Sequence, residues 1–430
     1  MAALHARDFS LGTQSHARLL MNNFYWTLIV LLAAQAAAES ATTCDADSGA
    51  APPVPFDIGD GNDYGGRVLE LTVPEQCQCD GVDCTPCPIV IGFHGYGETG
   101  SGNYSWKSRL EPKGAAAGFI SLYPTGDNTV PHSYGGGMNP NWAAPSCMDP
   151  SDGCLLDTGL ACDWCGNIEE DNDVSLQREI DFTKAIVKWT MDNYCIDPQQ
   201  LFATGYSNGG LWVHTLARHP ETTAMFKAFV PMDGIDQAGN ENKLRWITAP
   251  PDGNAPWILH MNEIFDRFEP FDGMNYVDTY VDDGIPVWIY PSILQVFAEY
   301  VDKNDGYASC GFSPDDSANR YGVLDVGGVV PEGYRRLDGP DSLEGDGQDM
   351  LRCFTKDAPG ERCERLAVCL WDGGEPGDDL TDPHGRAGRE LSGGSDPATS
   401  GTDPMDVMWR FMQRSINPTT HSPDQAGQHP

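Results

Sequence analysis

The chain predicts an α/β protein built on a mostly parallel sheet with helices on both faces, and three observations carry that expectation. Short β-branched and aromatic runs alternate with stretches of helical periodicity, as a parallel sheet needs when each strand must be carried back by a crossover. One run, LFATGYSNGG at 201–210, ends abruptly in Gly-x-Ser-x-Gly, a strand turning sharply into a helix. The 430 residues would allow two domains by length, but the alternation runs through the chain and favours one domain with long insertions.

The strand candidates are PIVIGFHG (88–95), GFISLYP (118–124), LFATGYS (201–207), KAFVPMDG (227–234), PWILHM (256–261) and LAVCLW (366–371). Between them, VSLQREIDFTKAIVKWTMDNY (174–194) and PSILQVFAEYVDKN (291–304) carry helical periodicity, as does GGLWVHTLARHP directly after the serine turn. Two long interruptions, about 128–173 and 305–365, are expected as functional loops held down by their cysteines. The polar, Pro-rich tail, 416–430, is expected to be disordered.

The amino terminus carries Arg7 and Arg18, then an apolar run from Phe24 to Ala38 ending in small residues, which reads as a secretory signal over 1–38. The run is short for a membrane span, with an uncleaved anchor as the lesser alternative and Met21 as an alternative start. The catalytic domain is then expected over 39–415. The chain holds 14 cysteines, an even number that suits disulfides in an oxidising compartment, with connectivity left open. Cys84-x-x-Cys87 and Cys162-x-x-Cys165 read as loop staples rather than zinc pairs, so no metal and no cofactor are expected. Asn103-Tyr-Ser is a glycosylation sequon and marks a surface loop.

Lys and Arg number 26 against 63 Asp and Glu, a formal charge of −37. Such a surface repels a phosphate backbone, which excludes nucleic acid as a partner, and no membrane partner is expected after signal cleavage. The acidity lies in loops such as DGPDSLEGDGQD (338–349), which read as a solvated surface without EF-hand spacing.

Ser207 in the Gly-x-Ser-x-Gly turn is the candidate nucleophile, because Gly205 and Gly209 leave room around a strained serine that the turn lifts into the open. The surrounding stretches, PIVIGFHGYGETGSGN, GFISLYPTG, NYCIDPQQLFATGYSNGG and ILHMNEIFDRFEPFDG, then a helix ending near Cys310, fall in a fixed order. On these blocks, from about Pro88 to Phe411, the chain resembles the secreted feruloyl esterase and polyhydroxybutyrate depolymerase group of α/β-hydrolases.

That resemblance implies an α/β-hydrolase fold and a serine carboxylic-ester hydrolase acting through an acyl-enzyme, with residues in the order Ser, acid, His. A serine hydroxyl is a weak nucleophile until a histidine takes its proton and a carboxylate holds that histidine's tautomer. The acid falls on Asp266 in FDRFEPFDG, with Glu263, Glu269 and Asp272 as alternatives and Glu263 the foremost of these. The family's histidine should follow the last strand closely, but LAVCLWDGG runs into Glu375 and Pro376. Three histidines follow Asp266, and since His421 and His429 lie in the tail, His384 is the candidate base, reached across GEPGDDLTD. His214 and His219 are expected to pack or cap, and His260 to lie within a strand.

The oxyanion hole is expected from the backbone N–H of Asn208, next to the nucleophile, and of Tyr96 in the His-Gly-Tyr-Gly turn. The substrate implied is a hydroxycinnamoyl ester on cell-wall polysaccharide such as feruloylated xylan. Tyr96, Trp106, Trp142 and Trp164 near the expected mouth either stack on a phenolic ring or sugar or pack beneath the loops. The alternatives are a polyhydroxybutyrate depolymerase-like esterase and a catalytically dead hydrolase fold that binds carbohydrate.

Overall fold

A computed structural model of the chain describes residues 52–53, 56–57, 66–78, 85–100, 109–127, 140, 142, 171–234, 255–263, 274–277, 286–290, 292–304, 307, 310–312, 333–336, 351–356, 363–371 and 404–416. The expected signal segment, the tail beyond Ile416 and most of both interruptions lie outside the described residues.

Eleven strands are described: β1 (Leu69–Thr72), β2 (Cys87–Phe93), β3 (Ile120–Pro124), β4 (Ile196–Tyr206), β5 (Ala228–Met232), β6 (Trp257–Glu263), β7 (Met274–Val277), β8 (Pro286–Tyr290), β9 (Tyr334–Arg336), β10 (Leu351–Lys356) and β11 (Leu366–Trp371). The helices are α1 (Leu110–Ala117), α2 (Asp171–Asn193), α3 (Asn208–Arg218), α4 (Pro220–Thr223), α5 (Ile293–Lys303) and α6 (Pro404–Ile416). Nine strands form one sheet in the order β1-β3-β2-β4-β5-β6-β11-β10-β9, and β7 and β8 pair separately. The centre, β3-β2-β4-β5-β6-β11, is parallel throughout, while β1 joins β3 and β10 joins β11 antiparallel. This order, with the serine at the carboxyl end of β4, is that of an α/β-hydrolase fold, as expected.

All six strands read from the sequence form, because each is an apolar run that a two-sided parallel sheet buries. In β2 every residue is buried. Ile89, Ile91 and Phe93 face the core shared with α2, α3 and α5, where Ile186, Trp212 and Phe297 pack, while Val90 faces the opposite core with Met408 and Phe411 of α6. The alternation places a helical layer on each face. Ser292 caps α5 through a capping box with Gln295, which fixes its start.

The expectation of loop throughout 305–365 needs correction. β9 and β10 lie within it and extend the sheet antiparallel beyond β11. LRCFTK is short, mixes charge with apolar residues and sits beside an acidic stretch, so its strand character is supplied by pairing with LAVCLW. Cys353 and Cys369 are direct partners in that register and are disulfide-bonded. Cys310–Cys363 closes the same region onto the end of the α5 segment, and Cys77–Cys87 ties the first residue of β2 to the turn before it. Cys87 therefore bonds to Cys77 and not to Cys84. Among the described residues no cysteine is free and no helix is long and apolar enough to cross a membrane.

Candidate active site

The carboxyl ends of the parallel strands form one edge of the sheet, where ligands bind in open α/β folds. β4 delivers Ser207 there. Its backbone stands at φ 53° and ψ −123° between the strand and α3, a conformation that costs a non-glycine residue of order 1–3 kcal/mol. Surrounding hydrogen bonds hold it: the Ser207 N–H donates to the Met232 carbonyl of β5 at 2.9 Å, and the Leu211 N–H donates to the Ser207 carbonyl at 2.9 Å. A Cβ on Gly209 would fall against the Phe93 and His94 carbonyl oxygens, and one on Gly205 against the Gly209 carbonyl. The two glycines of the motif thus permit the close approach of helix to strand that the elbow requires.

The turn after β2 lies beside the serine. A Cβ built on Gly95 would sit 3.5 Å from Ser207 Cβ and 3.2 Å from Tyr206 Cδ1. Residues 95–98 form a turn closed by the Glu98 N–H donating to the Gly95 carbonyl at 3.2 Å, with Gly97 at φ 73° in the position that demands a positive angle. The Gly95 N–H donates to Glu98 Oε2 (3.2 Å) and the Gly97 N–H to the Pro140 carbonyl (2.9 Å), so neither glycine amide can serve an oxyanion. His94 is fully buried beneath the turn. The Gly126 N–H donates to its Nε2 at 2.8 Å, which leaves the proton on Nδ1 to be donated to the Gly95 carbonyl at 2.7 Å. Burial pushes the His94 pKa down to about 4, so the ring is a neutral strut of the turn.

Trp142 is 2% exposed. Its ring packs edge-on against Phe93 with centroids 5.0 Å apart and stacks toward Trp212 at 6.5 Å. The ring belongs to the buried core cluster that also holds Phe93 and Trp212. Its Nε1–H donates to the His94 carbonyl at 2.9 Å. The Asn208 side chain grips its backbone from the other side, with Oδ1 accepting from the Trp142 N–H at 2.8 Å and Nδ2 donating to the Trp142 carbonyl at 3.3 Å.

Asp266, His384, Trp106 and Trp164 lie outside the described residues. The strands that precede these two positions in the chain, the expected acid and base, are described. β6 ends at Glu263 and β11 at Trp371, and these two residues are register partners. One strand, β5, separates β6 from β4, with Tyr206 partnering Met232 and Met232 partnering Met261. The chain therefore leaves toward Asp266 and His384 from neighbouring strands at the edge that carries Ser207.

Two features were missed from the sequence. Asp233, directly after β5, is buried at φ 41°, and its N–H donates to the Met261 carbonyl at 2.9 Å. The Met-Asp-Gly following an apolar run was the available signal. The second is a polar line through the core: His214 on α3 meets His260 on β6 (Nε2 to Nδ1, 3.2 Å), which meets Asn262 Oδ1 at 3.1 Å. Both rings are fully buried, and burial drives the His214 pKa well below its ordinary value. His219 caps α4 by accepting from the Glu221 N–H, so these three histidines take the packing, strand and capping roles expected.

No protein-family model and no curated protein matches the sequence. Among solved structures, similarity extends to a thermostable esterase (20% identity over 48% of this chain and 45% of that one, TM-score 0.30). It extends also to the acetyl xylan esterase from Aspergillus awamori (17% identity, 72% and 89%, TM-score 0.35) and to esterase PE8 (15% identity, 47% and 78%, TM-score 0.30). The chain spans less than half the length of the first of these.

Proposed function

We propose that the protein is a secreted serine carboxylic-ester hydrolase that works through an acyl-enzyme. The observation that carries this reading is Ser207 itself, held at a positive φ where β4 breaks into α3. A strained serine at the carboxyl edge of a parallel sheet has its hydroxyl projected at the amino terminus of a helix, where a developing negative charge is favoured. In the proposed reaction Ser207 Oγ attacks the ester carbonyl while its proton passes to the His384 imidazole, oriented by the Asp266 carboxylate. The tetrahedral oxyanion accepts from the backbone N–H groups of Asn208 and Tyr96. His384 then donates its proton to the departing alcohol oxygen, and water releases the acyl group by the same steps in reverse.

The substrate proposed is a hydroxycinnamoyl ester on a cell-wall polysaccharide such as xylan, resting on the family resemblance of the sequence blocks. Secretion rests on the apolar leader and on the disulfides of the described cysteines. A polyhydroxybutyrate depolymerase-like activity shares the same catalytic groups, and turnover of methyl ferulate against polyhydroxybutyrate separates the two. One sequence observation favours a different reading, a hydrolase fold that binds carbohydrate without turning it over: Glu375 stands where the family places its histidine.

The experiment is labelling with a serine-directed fluorophosphonate. Wild type is labelled at Ser207, and His384→Ala abolishes labelling and ester turnover. Unchanged turnover in His384→Ala would remove that residue from the mechanism, and an unlabelled wild type would establish the non-catalytic reading.

A further inference from the structure

We infer that Trp142 is a positioning residue that sets the spacing between the two halves of the oxyanion hole, an inference that rests on the ester-hydrolase reading above. The two amides proposed to receive the oxyanion, those of Asn208 and Tyr96, belong to segments that share no covalent connection nearer than the whole stretch between β2 and β4. Each segment is bonded to Trp142. On the nucleophile side, the Asn208 carboxamide makes both of its hydrogen bonds to the Trp142 backbone, at 2.8 Å and 3.3 Å. On the turn side, the indole Nε1–H donates to the carbonyl of His94 at 2.9 Å, one peptide before Gly95 and two before Tyr96. The neighbouring Pro140 carbonyl takes the Gly97 N–H at 2.9 Å, so the turn is held on both sides of Tyr96.

Packing makes the connection rigid. The ring is wedged against Phe93 (5.0 Å, nearly perpendicular), His94 (5.1 Å) and Trp212 (6.5 Å). Phe93 ends β2 and Trp212 lies one turn into α3, so the indole fills the angle between the two elements that carry the donors. A tryptophan suits this place because it combines a large rigid plane with one edge donor that must find a partner when buried. Oxyanion stabilisation depends on donors fixed before charge develops, and a displacement of about 1 Å costs on the order of 100-fold in rate. Trp142 thus acts on catalysis through Asn208 and Tyr96 without touching the substrate.

The test compares the full-length wild type with Trp142→Phe, which retains a ring and deletes the indole donor. In the variant, amide hydrogen exchange across residues 94–97 and at Asn208 accelerates. Its kcat for an aryl ester falls by about 10- to 100-fold with KM within about twofold, and a trifluoromethyl ketone, which forms a tetrahedral adduct on the serine, binds more weakly by the same factor as kcat. Asn208→Ala, which removes the carboxamide and its bonds to the Trp142 backbone while keeping the Asn208 main-chain N–H, shifts the same readouts in the same direction and serves where Trp142→Phe fails to fold. A folded Trp142→Phe with unchanged exchange and kcat overturns the inference, and so does a raised KM at constant kcat, which would mark the ring as a substrate contact. Accelerated exchange in a protein whose wild type neither turns over esters nor labels with fluorophosphonate would support the positioning contacts while overturning the hydrolase reading.

Discussion

Arg67 and Glu179, far apart in the chain, form a buried two-pronged ion pair, with Arg67 Nη1 donating to Glu179 Oε2 at 2.6 Å and Nη2 donating to Oε1. The guanidinium also lies over the Phe182 ring at 4.5 Å and stands 3.4 Å from Asp127, which in turn pairs with Arg178. Asp127 is the last described residue before the long 128–173 interruption, and Arg178 and Glu179 lie on α2, into which that segment returns. The charge cluster therefore closes the base of the interruption.

Removing one partner leaves a buried carboxylate without its cation. Arg67→Met is expected to lower stability by about 3–5 kcal/mol, while the double variant Arg67→Met with Glu179→Met recovers most of that loss. Chemical denaturation of the two variants measures both. A double variant no more stable than the single would show that the cost lies in packing around Phe182 and not in the stranded charge.

Gly209→Ala tests the elbow. The added methyl would meet the Phe93 and His94 carbonyl oxygens, backbone atoms that cannot rotate away, so α3 must shift relative to β2. A fall in kcat of about 100-fold or more is expected, because Ser207 and the Asn208 amide move together with the helix. Loss of ester turnover at retained far-ultraviolet circular dichroism checks it, and full activity would mean that the helix need not approach so closely.

The Cys353–Cys369 disulfide crosses an antiparallel pair at the strand that leads toward His384. It closes a loop of sequence separation 16, for which restriction of the unfolded chain contributes about 3 kcal/mol. Replacing both cysteines by serine is expected to lower the unfolding midpoint by a corresponding amount and to reduce turnover with it, since β10 then loses its covalent tie to β11. Thermal unfolding of the double variant against wild type reads the first effect, and activity below the unfolding transition reads the second.

The parallel centre of this sheet was legible because burial on both faces writes a strand as an unbroken apolar run, as in PIVIGF and KAFVPM. Strands at the flanks were not legible. β1 and β10 are paired antiparallel to β3 and β11, and LRCFTK taken alone is too short and too mixed in charge to stand out as a strand. α1 was hidden by Pro112 and Gly114, which weaken helical periodicity; Pro112 sits in the first turn, where a missing N–H costs little. Ser207 could be read because its strain demands glycine on either side, a chemical requirement printed in the sequence. The bonds of Trp142 to Asn208 and His94 could not, since they join residues far apart in the chain and no local pattern encodes them.

Two of the buried histidines make the protein sensitive to mild acid. His94, with Glu98 and Arg67 as its charged neighbours, is held down to about 4 by burial, and His214, facing His260 and Arg218, is lowered in the same sense. In the unfolded chain both rings titrate near the ordinary value of about 6.5. Above that pH both states are neutral and stability is at its full value. As pH falls below it, the unfolded state takes up protons that the folded state refuses, so stability declines by about 1.4 kcal/mol per pH unit for each ring. For His94 the decline stops near pH 4, where the folded state also protonates. Between pH 6.5 and about 5 most carboxylates in both states remain ionised, which makes this window diagnostic of the histidines. Unfolding free energies measured from pH 7.5 to 5 are expected to fall in wild type and to fall less steeply in His94→Asn; a flat wild-type profile over that window would mean that these rings accept protons without leaving their buried places.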